Sequence, residues 1–203
     1  QHIDADEPVA AGLLEKIEPG TSLGGARPKA TVEDEQRLYL AKFPLPGDRV
    51  NLRRVEFATL ALAERAGIRT ARARLERVGM HDTLLLERFD RQWIGEGYAR
   101  FGLVSALTVL EAGESHLDRK RWSYPLLADA LRRWPERPEQ DCAELYRRMV
   151  FNAAVTNDDD HPRNHALLRT PRGWRLSPAY DLVPSPKVSQ ERRALAFTVG
   201  QYG

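Results

Sequence analysis

The sequence predicts an α+β chain in two lobes, strand-rich up to about residue 91 and helical after it, and three observations carry that expectation. Short apolar or alternating runs, two of them closed by Pro44 and Gly79, crowd residues 38–87. Residues 92–100 are polar and broken by glycine, which marks a boundary. Beyond it, Cys142, Leu145, Tyr146, Met149, Val150, Ala153 and Ala154 recur at the period of a helix with one apolar side. The expected division is therefore one lobe over 1–91 and a second over 92–203.

The elements come in order along the chain. Residues 1–19 are acidic and mixed, with a short helical possibility around Leu13–Ile17, and Gly20 to Lys29 is a glycine-punctuated loop. Leu38–Phe43 is an apolar run ended by Pro44, Pro46 and Gly47, and reads as a strand. Asn51 is placed to cap a helix from about Leu52 to Ala66, with Gly67 as its stop. Residues 70–78 alternate, Gly79 to Asp82 turn, and Thr83–Glu87 is a second run, so a hairpin is expected. A mixed helical region runs to about Arg133, interrupted by Gly113 and Pro125, and Pro135 and Pro138 break the chain again before the 142–154 helix. That helix leads into an acidic loop, a hairpin over 165–176, and Ser177 to Pro184.

Composition excludes several classes. The 203 residues suit one large domain or two small lobes, and a chain this size hides roughly 70% of its unfolded surface on folding. Apolar residues at 42% and charged residues at 30% are a globular balance. With 31 basic against 29 acidic residues, net charge does not point to nucleic acid. The Arg-rich stretch 65–77 reads as the wet face of a helix and a strand. One cysteine, Cys142 on the apolar stripe, leaves no disulfide framework or thiolate cluster, so a reducing cytoplasm is the expected compartment. The longest apolar run is far short of the ~20 residues that span a bilayer, and no membrane partner is expected. The chain opens on Gln1, and the expectation is a core cut from something longer.

The chemistry concentrates in Asn157-Asp158-Asp159-Asp160-His161-Pro162-Arg163-Asn164. Three adjacent aspartates repel one another unless a cation sits among them. An Asp and an Asn five residues apart have two complementary uses: the carboxylate accepts the proton of a hydroxyl nucleophile, and the amide oxygen ligates a magnesium ion that bridges phosphates. Asp181 lies 17 residues beyond Asn164, across a hairpin that returns the chain towards the same place. Without that return the loop would read as a solvated Asp-rich turn. Lys42 ends an apolar strand, where a charge is expensive to bury unpaired, and Glu56, Glu33, Glu35 and Glu64 all compete as its carboxylate. The 20–29 loop lacks the Walker spacing but offers backbone N–H groups to phosphates, or is a plain turn at Gly24-Gly25. His161 and His165 have the i, i+4 spacing of a helical zinc site, but Pro162 spoils that helix and no third ligand is evident.

These motifs come in a telling order: Ser22-Leu23-Gly24-Gly25, the strand Lys42, a helix with Glu56, a hairpin ending in Leu86-Glu87-Arg88-Phe89-Asp90-Arg91, then Asp159-Asp160-His161-Pro162-Arg163-Asn164 and Ala179-Tyr180-Asp181. Together they closely resemble the HipA family of bacterial serine/threonine kinases, the toxins of HipBA-type toxin–antitoxin modules, over most of residues 20–186. The resemblance implies a two-lobed protein-kinase-like fold, a strand-rich N-lobe and a helical C-lobe, with ATP between them. It implies that Asp159 is the catalytic base, that Asn164 and Asp181 hold Mg2+, and that Lys42 touches the α/β-phosphates. Glu87 and Phe89 would offer backbone groups to adenine, His161 would lie beside the nucleotide, and Ser22, Gly24 and Gly25 would line the phosphate loop. Ser22 falls where the family carries an autophosphorylated serine, with Thr21 a second acceptor. A phosphate there adds about −1.5 to −2 charge beside ATP and should switch the kinase off. The implied partners are a protein substrate such as an aminoacyl-tRNA synthetase, a HipB-type antitoxin, and DNA only through that antitoxin. Family members continue well past the Asp181 motif and often carry a small domain ahead of the core, so a truncated kinase core is expected.

Two other classes compete with the kinase. One is a non-catalytic kinase-like module that binds an antitoxin and thereby DNA. The other is a metal-dependent phosphohydrolase using Asp158, Asp159 and Asp160, which needs two carboxylate-bound metals and gives Lys42 no role.

Overall fold

A computed structural model describes residues 27–45, 47–185 and 195–200. Its contacts divide the chain into two units. The first holds the described residues up to Ala58 together with Ala71–Ala99, and the second holds Thr59–Thr70 and the described residues from Arg100 onward.

The first unit is built on a four-stranded antiparallel sheet of order β1-β2-β4-β3. Strand β1 (Lys29–Asp34) pairs with β2 (Arg37–Lys42) through a two-residue turn. Both turn residues, Glu35 (φ 47°) and Gln36 (φ 63°), are left-handed, as the twist-matched hairpin turn requires. Neither is the Gly or Asn that takes that conformation cheaply, so the turn is held by the ladder beside it. Helix α1 (Leu52–Arg65) starts where Asn51 Oδ1 accepts the Arg54 N–H at 3.2 Å. It stops at Gly67 (φ 78°), where the Ile68 N–H reaches the Ala63 carbonyl. Strands β3 (Ala73–Val78) and β4 (His81–Glu87) form the expected hairpin, with Val78 opposite His81. The core here is Val32, Tyr39, Ala41 and Leu85, with Phe43 packed against it. A short hairpin of β5 (Arg91–Trp93) and β6 (Tyr98–Arg100) comes next.

The second unit is mostly helical. Strand β7 (Leu103–Ser105) runs into the one-turn helix α2 (Ala106–Val109), capped by the Ser105 hydroxyl. A 3-10 turn over Asp118–Arg121 leads to α3 (Tyr124–Arg133) and α4 (Pro138–Val155). Strands β8 (Ala166–Thr170) and β9 (Gly173–Leu176) join β7 in a three-stranded sheet of order β7-β8-β9. Leu127, Leu131, Leu145, Leu167, Leu176 and Phe197 are the centre of its core. Among the described residues no helix is long and apolar enough to cross a membrane.

Several expectations are corrected. The glycine-punctuated loop does not extend to Lys29: residues 29–34 are strand β1, and Lys29 lies across the ladder from Lys42. The polar stretch 92–100 contains the β5–β6 hairpin. Pro125 and Pro138, read as interruptions, sit in the first turns of α3 and α4, where a missing N–H costs nothing. Only part of the apolar stripe on α4 faces the core: Leu145 is buried and Cys142 and Met149 pack against the core, but the rest of the stripe turns outward. Tyr146 is 63% and Val150 48% exposed, while Asp141, Glu144, Arg148 and Asn152 are buried beside Leu145 and Phe151. The polar groups go inward because each finds a partner. Asp141 accepts Arg175 at 2.9 and 3.0 Å, and Glu144 accepts Arg148 at 2.9 Å.

Candidate active site

In the first unit the strand lysine is anchored. Lys42 ends β2, and its Nζ donates to both oxygens of Glu56, at 2.7 and 2.9 Å. Both side chains are largely withdrawn from water, 14% and 5% exposed. Of the four carboxylates that sequence left open, Glu56 is therefore the partner. A buried ammonium so held is aimed rather than free to wander.

The segment after β4 is equally constrained. The Glu87 N–H donates to the Arg72 carbonyl at 2.8 Å and the Arg88 N–H to the Leu38 carbonyl at 2.7 Å. Of Glu87's own backbone groups, its carbonyl is thus the one left to meet a ligand. Its carboxylate lies 3.7 Å from Arg37. Phe89 is half-buried. Asp90 is buried and accepts Arg88 at 2.9 and 2.7 Å and the Arg91 guanidinium as well. Burial pushes the Asp90 carboxyl up, but the guanidinium of Arg88, and then that of Arg91, pull it below its ordinary value. Ser22, Gly24, Gly25 and Thr21 lie outside the described residues.

In the second unit the acidic loop springs from the end of α4. Thr156 is left-handed (φ 61°) and closes the helix. The Asn157 N–H then returns to the Asn152 carbonyl at 2.9 Å, and its side-chain amide to Asn152 Oδ1 at 3.1 Å. Burial separates the three aspartates: Asp158 is half-buried, Asp159 exposed and Asp160 fully buried. Asp160 accepts the Tyr124 hydroxyl and lies 3.0 Å from His165 Nε2. Burial pushes its carboxyl up, and the His165 and Tyr124 contacts bring it below the ordinary value. Repulsion within the triplet is thus relieved by turning one member inward onto donors.

A 3-10 turn over Pro162–Asn164 folds the loop back. The Asn164 N–H donates to the His161 carbonyl at 2.8 Å, and Asn164 Nδ2 to the Asp159 carbonyl at 3.3 Å. With its nitrogen engaged, the atom of Asn164 suited to a metal is Oδ1. His161 is half-buried, edge-on to the Trp122 ring at 6.3 Å, and its Nδ1 is buried with no hydrogen-bond partner.

The β8–β9 hairpin returns the chain to this loop, as the spacing predicts. The Tyr180 hydroxyl donates to the carbonyl of Arg163, the residue before Asn164, at 2.7 Å. The Ala179 N–H donates to the Arg69 carbonyl at 2.7 Å. Asp181 comes next with φ 59°, an uncommon conformation for a residue other than glycine and one that collects at functional sites. Hard oxygen donors from Asn164 and Asp181 suit magnesium. Among the described residues no group of three or more His, Cys, Asp and Glu side chains is placed to hold a metal.

Sequence reasoning missed the polar cluster under the loop. Tyr124, Asn152, Asp160 and His165 come from α3, α4 and the loop itself, and no local pattern joins positions 36 residues apart.

The comparisons place these features in a family. Residues 21–203 match the HipA-like C-terminal domain. A chain of the Shewanella oneidensis toxin–antitoxin complex of HipA, HipB and operator DNA superposes with a TM-score of 0.70 at 21% identity, over 91% of this chain and 48% of that one. The Helicobacter pylori proinflammatory kinase CtkA superposes with a TM-score of 0.63 at 18% identity, over 82% of this chain and 57% of CtkA. Among curated proteins, Y4mE of Sinorhizobium fredii, whose name marks it as a candidate kinase, is 30% identical over 73 residues, 36% of this chain and 17% of its own length. The chain spans about half the length of the structures it resembles. With its mixed strand-and-helix, kinase-related fold, the chain belongs to the HipA-like C-terminal domain family.

Proposed function

We propose that this chain is an ATP- and Mg2+-dependent serine/threonine protein kinase and the toxin of a toxin–antitoxin module. The single observation that carries the reading is the buried Lys42–Glu56 pair, a charge arrangement that kinases use to hold ATP phosphates. A phosphohydrolase has no use for it, and the Asp160 that such an enzyme would need is spent on Tyr124 and His165.

Each unit holds its own share of the machinery. In the first, Lys42 meets the α/β-phosphates, the Glu87 carbonyl and the Phe89 backbone meet adenine, and Ser22, Gly24 and Gly25 belong to the phosphate loop. In the second, Asp159 accepts the proton of the substrate hydroxyl, and its exposure suits that task. Asn164 Oδ1 and the Asp181 carboxylate hold Mg2+, and His161 offers its unpaired Nδ1 beside the nucleotide. When bound, Mg2+ neutralises charge on the transferring phosphoryl group. Phosphorylation of Ser22 or Thr21 would place like charge among the ATP phosphates and stop turnover. The proposed partners are a protein substrate, an aminoacyl-tRNA synthetase being the first to try, and an antitoxin of the HipB type, with the cytoplasm as compartment. The HipA of the Shewanella complex, crystallised with HipB and operator DNA, supports the antitoxin.

Labelled γ-phosphate transfer and calorimetry on wild type and Asp159→Asn test this. Wild type should transfer phosphate, and the variant should bind Mg2+–ATP with similar affinity while transfer falls at least about 100-fold. Full transfer by Asp159→Asn would sink the assignment.

A further inference from the structure

We propose that Asp160 and His165 are positioning residues whose buried pairing holds their neighbours, Asp159 and Asn164, in register for phosphoryl transfer. The inference rests on the kinase reading. Each of the two functional residues in the loop has a fully buried neighbour, Asp160 at 1% and His165 at 2% exposure, and these neighbours meet at 3.0 Å.

The pairing belongs to a polar circuit that ends at His165, whose Nδ1 is buried with no hydrogen-bond partner. Asn157 donates to Asn152 at 3.1 Å, Asn152 donates to the Tyr124 hydroxyl at 3.3 Å, Tyr124 donates to one oxygen of Asp160, and His165 Nε2 meets the other. The circuit therefore enters the loop at its start, its middle and its end, and refers all three to α3 and α4. The backbone is tied as well: the His165 carbonyl accepts the Ala106 N–H at 2.8 Å, and the Asp158 carbonyl accepts the Ala196 N–H at 3.1 Å. Phe197, fully buried, packs on the Tyr124 ring at 4.4 Å and on His165 at 5.4 Å, closing the circuit from water.

Stability alone does not explain such a cluster. Well-packed apolar residues of the same volume serve a core as well as a buried charge and its donors. A circuit of directed bonds fixes position, which apolar packing does less sharply. The link from Asn164 Nδ2 to the Asp159 carbonyl is only 3.3 Å and neutral, so slack between residues 160 and 165 passes directly to the base and the metal ligand. A displacement of about 1 Å at such groups can cost on the order of 100-fold in rate.

His165→Phe keeps a buried ring and removes the bond to Asp160. Asp160→Asn removes the charge, and Tyr124→Phe removes a single oxygen in case either of the others fails to fold. For folded His165→Phe we expect kcat and magnesium affinity in the presence of ATP to fall by about 10–100-fold, with ATP affinity in EDTA unchanged. Hydrogen exchange at the Asn164 amide should quicken in protein free of metal and nucleotide. Asp160→Asn should match it, and the double variant should lose little more than either single one. The proposal is overturned if folded variants keep the wild-type magnesium requirement and Asn164 exchange rate. It is also overturned if their losses track only the unfolded fraction. Should wild type transfer no phosphate, the kinase reading falls, and exchange at Asn164 alone decides whether the pair holds the loop.

Discussion

Replacing Glu56 with Gln isolates the energetics of the anchored lysine. At 2.7 Å and an effective dielectric near 20, the Lys42–Glu56 attraction amounts to about 6 kcal/mol, most of which is consumed by desolvating both ions. What remains visible is the asymmetry: removing the carboxylate takes from an 86%-withdrawn ammonium its two short contacts, a cost of up to about 3–5 kcal/mol. Glu56→Gln retains one acceptor and should lie near the lower end of that range. Lys42→Met in the same chain removes the ammonium whose pairing was weakened, so the double variant should recover part of the loss, with a coupling energy of about 1–3 kcal/mol. Urea unfolding of wild type, both single variants and the double variant measures it. Glu56→Gln should also weaken ATP binding by calorimetry, and the double variant should not restore that binding although it restores stability. A coupling energy below about 0.5 kcal/mol would refute the reasoning, because independent sites add within that margin.

Asp181→Gly should abolish phosphate transfer, read with labelled ATP, although glycine takes φ 59° without strain and the backbone there can keep its course. Arg175→Met should cost about 3 kcal/mol by stranding the fully buried Asp141, softened by Arg69 at 3.5 Å and by the Leu176 N–H, and urea unfolding checks it. The Tyr98 phenol is pushed up to about 12 by burial and by Glu33. Ultraviolet titration should therefore show, beside the phenols of Tyr124 and Tyr180 that burial also pushes up, a late phenol that Tyr98→Phe removes. The unfolded chain releases this proton first, so the Tyr98 contribution to stability should be intact below pH 10 and lost as pH rises towards 12.

Much of this architecture is written locally. The Leu38–Phe43 run, the Asn51 cap, Gly67, the 70–78 alternation and the 83–87 run each dictate their element through period and turn chemistry, and each forms close to where expected. The order of motifs from Lys42 to Asp181 is likewise readable in the sequence, and it is the order that the proposed phosphoryl transfer would require. Strand β1 was not legible: Lys29–Asp34 carries three charges among six residues, and only its ladder with β2 makes it a strand.

The α4 stripe shows where periodicity stops informing. Apolar spacing marks a helix but not which side is buried. Here Asp141, Glu144 and Arg148 win the interior because Arg175, Arg69 and the Ser177 carbonyl wait for them there. The same holds for the choice of Glu56 over Glu33, Glu35 and Glu64, and for the fate of three adjacent aspartates. The chain by itself determined which residue types are present and along which segments. Which carboxylate meets which cation, and which aspartate is left facing water, was decided by tertiary contact, because partners 14 to 75 residues apart leave no trace in local pattern.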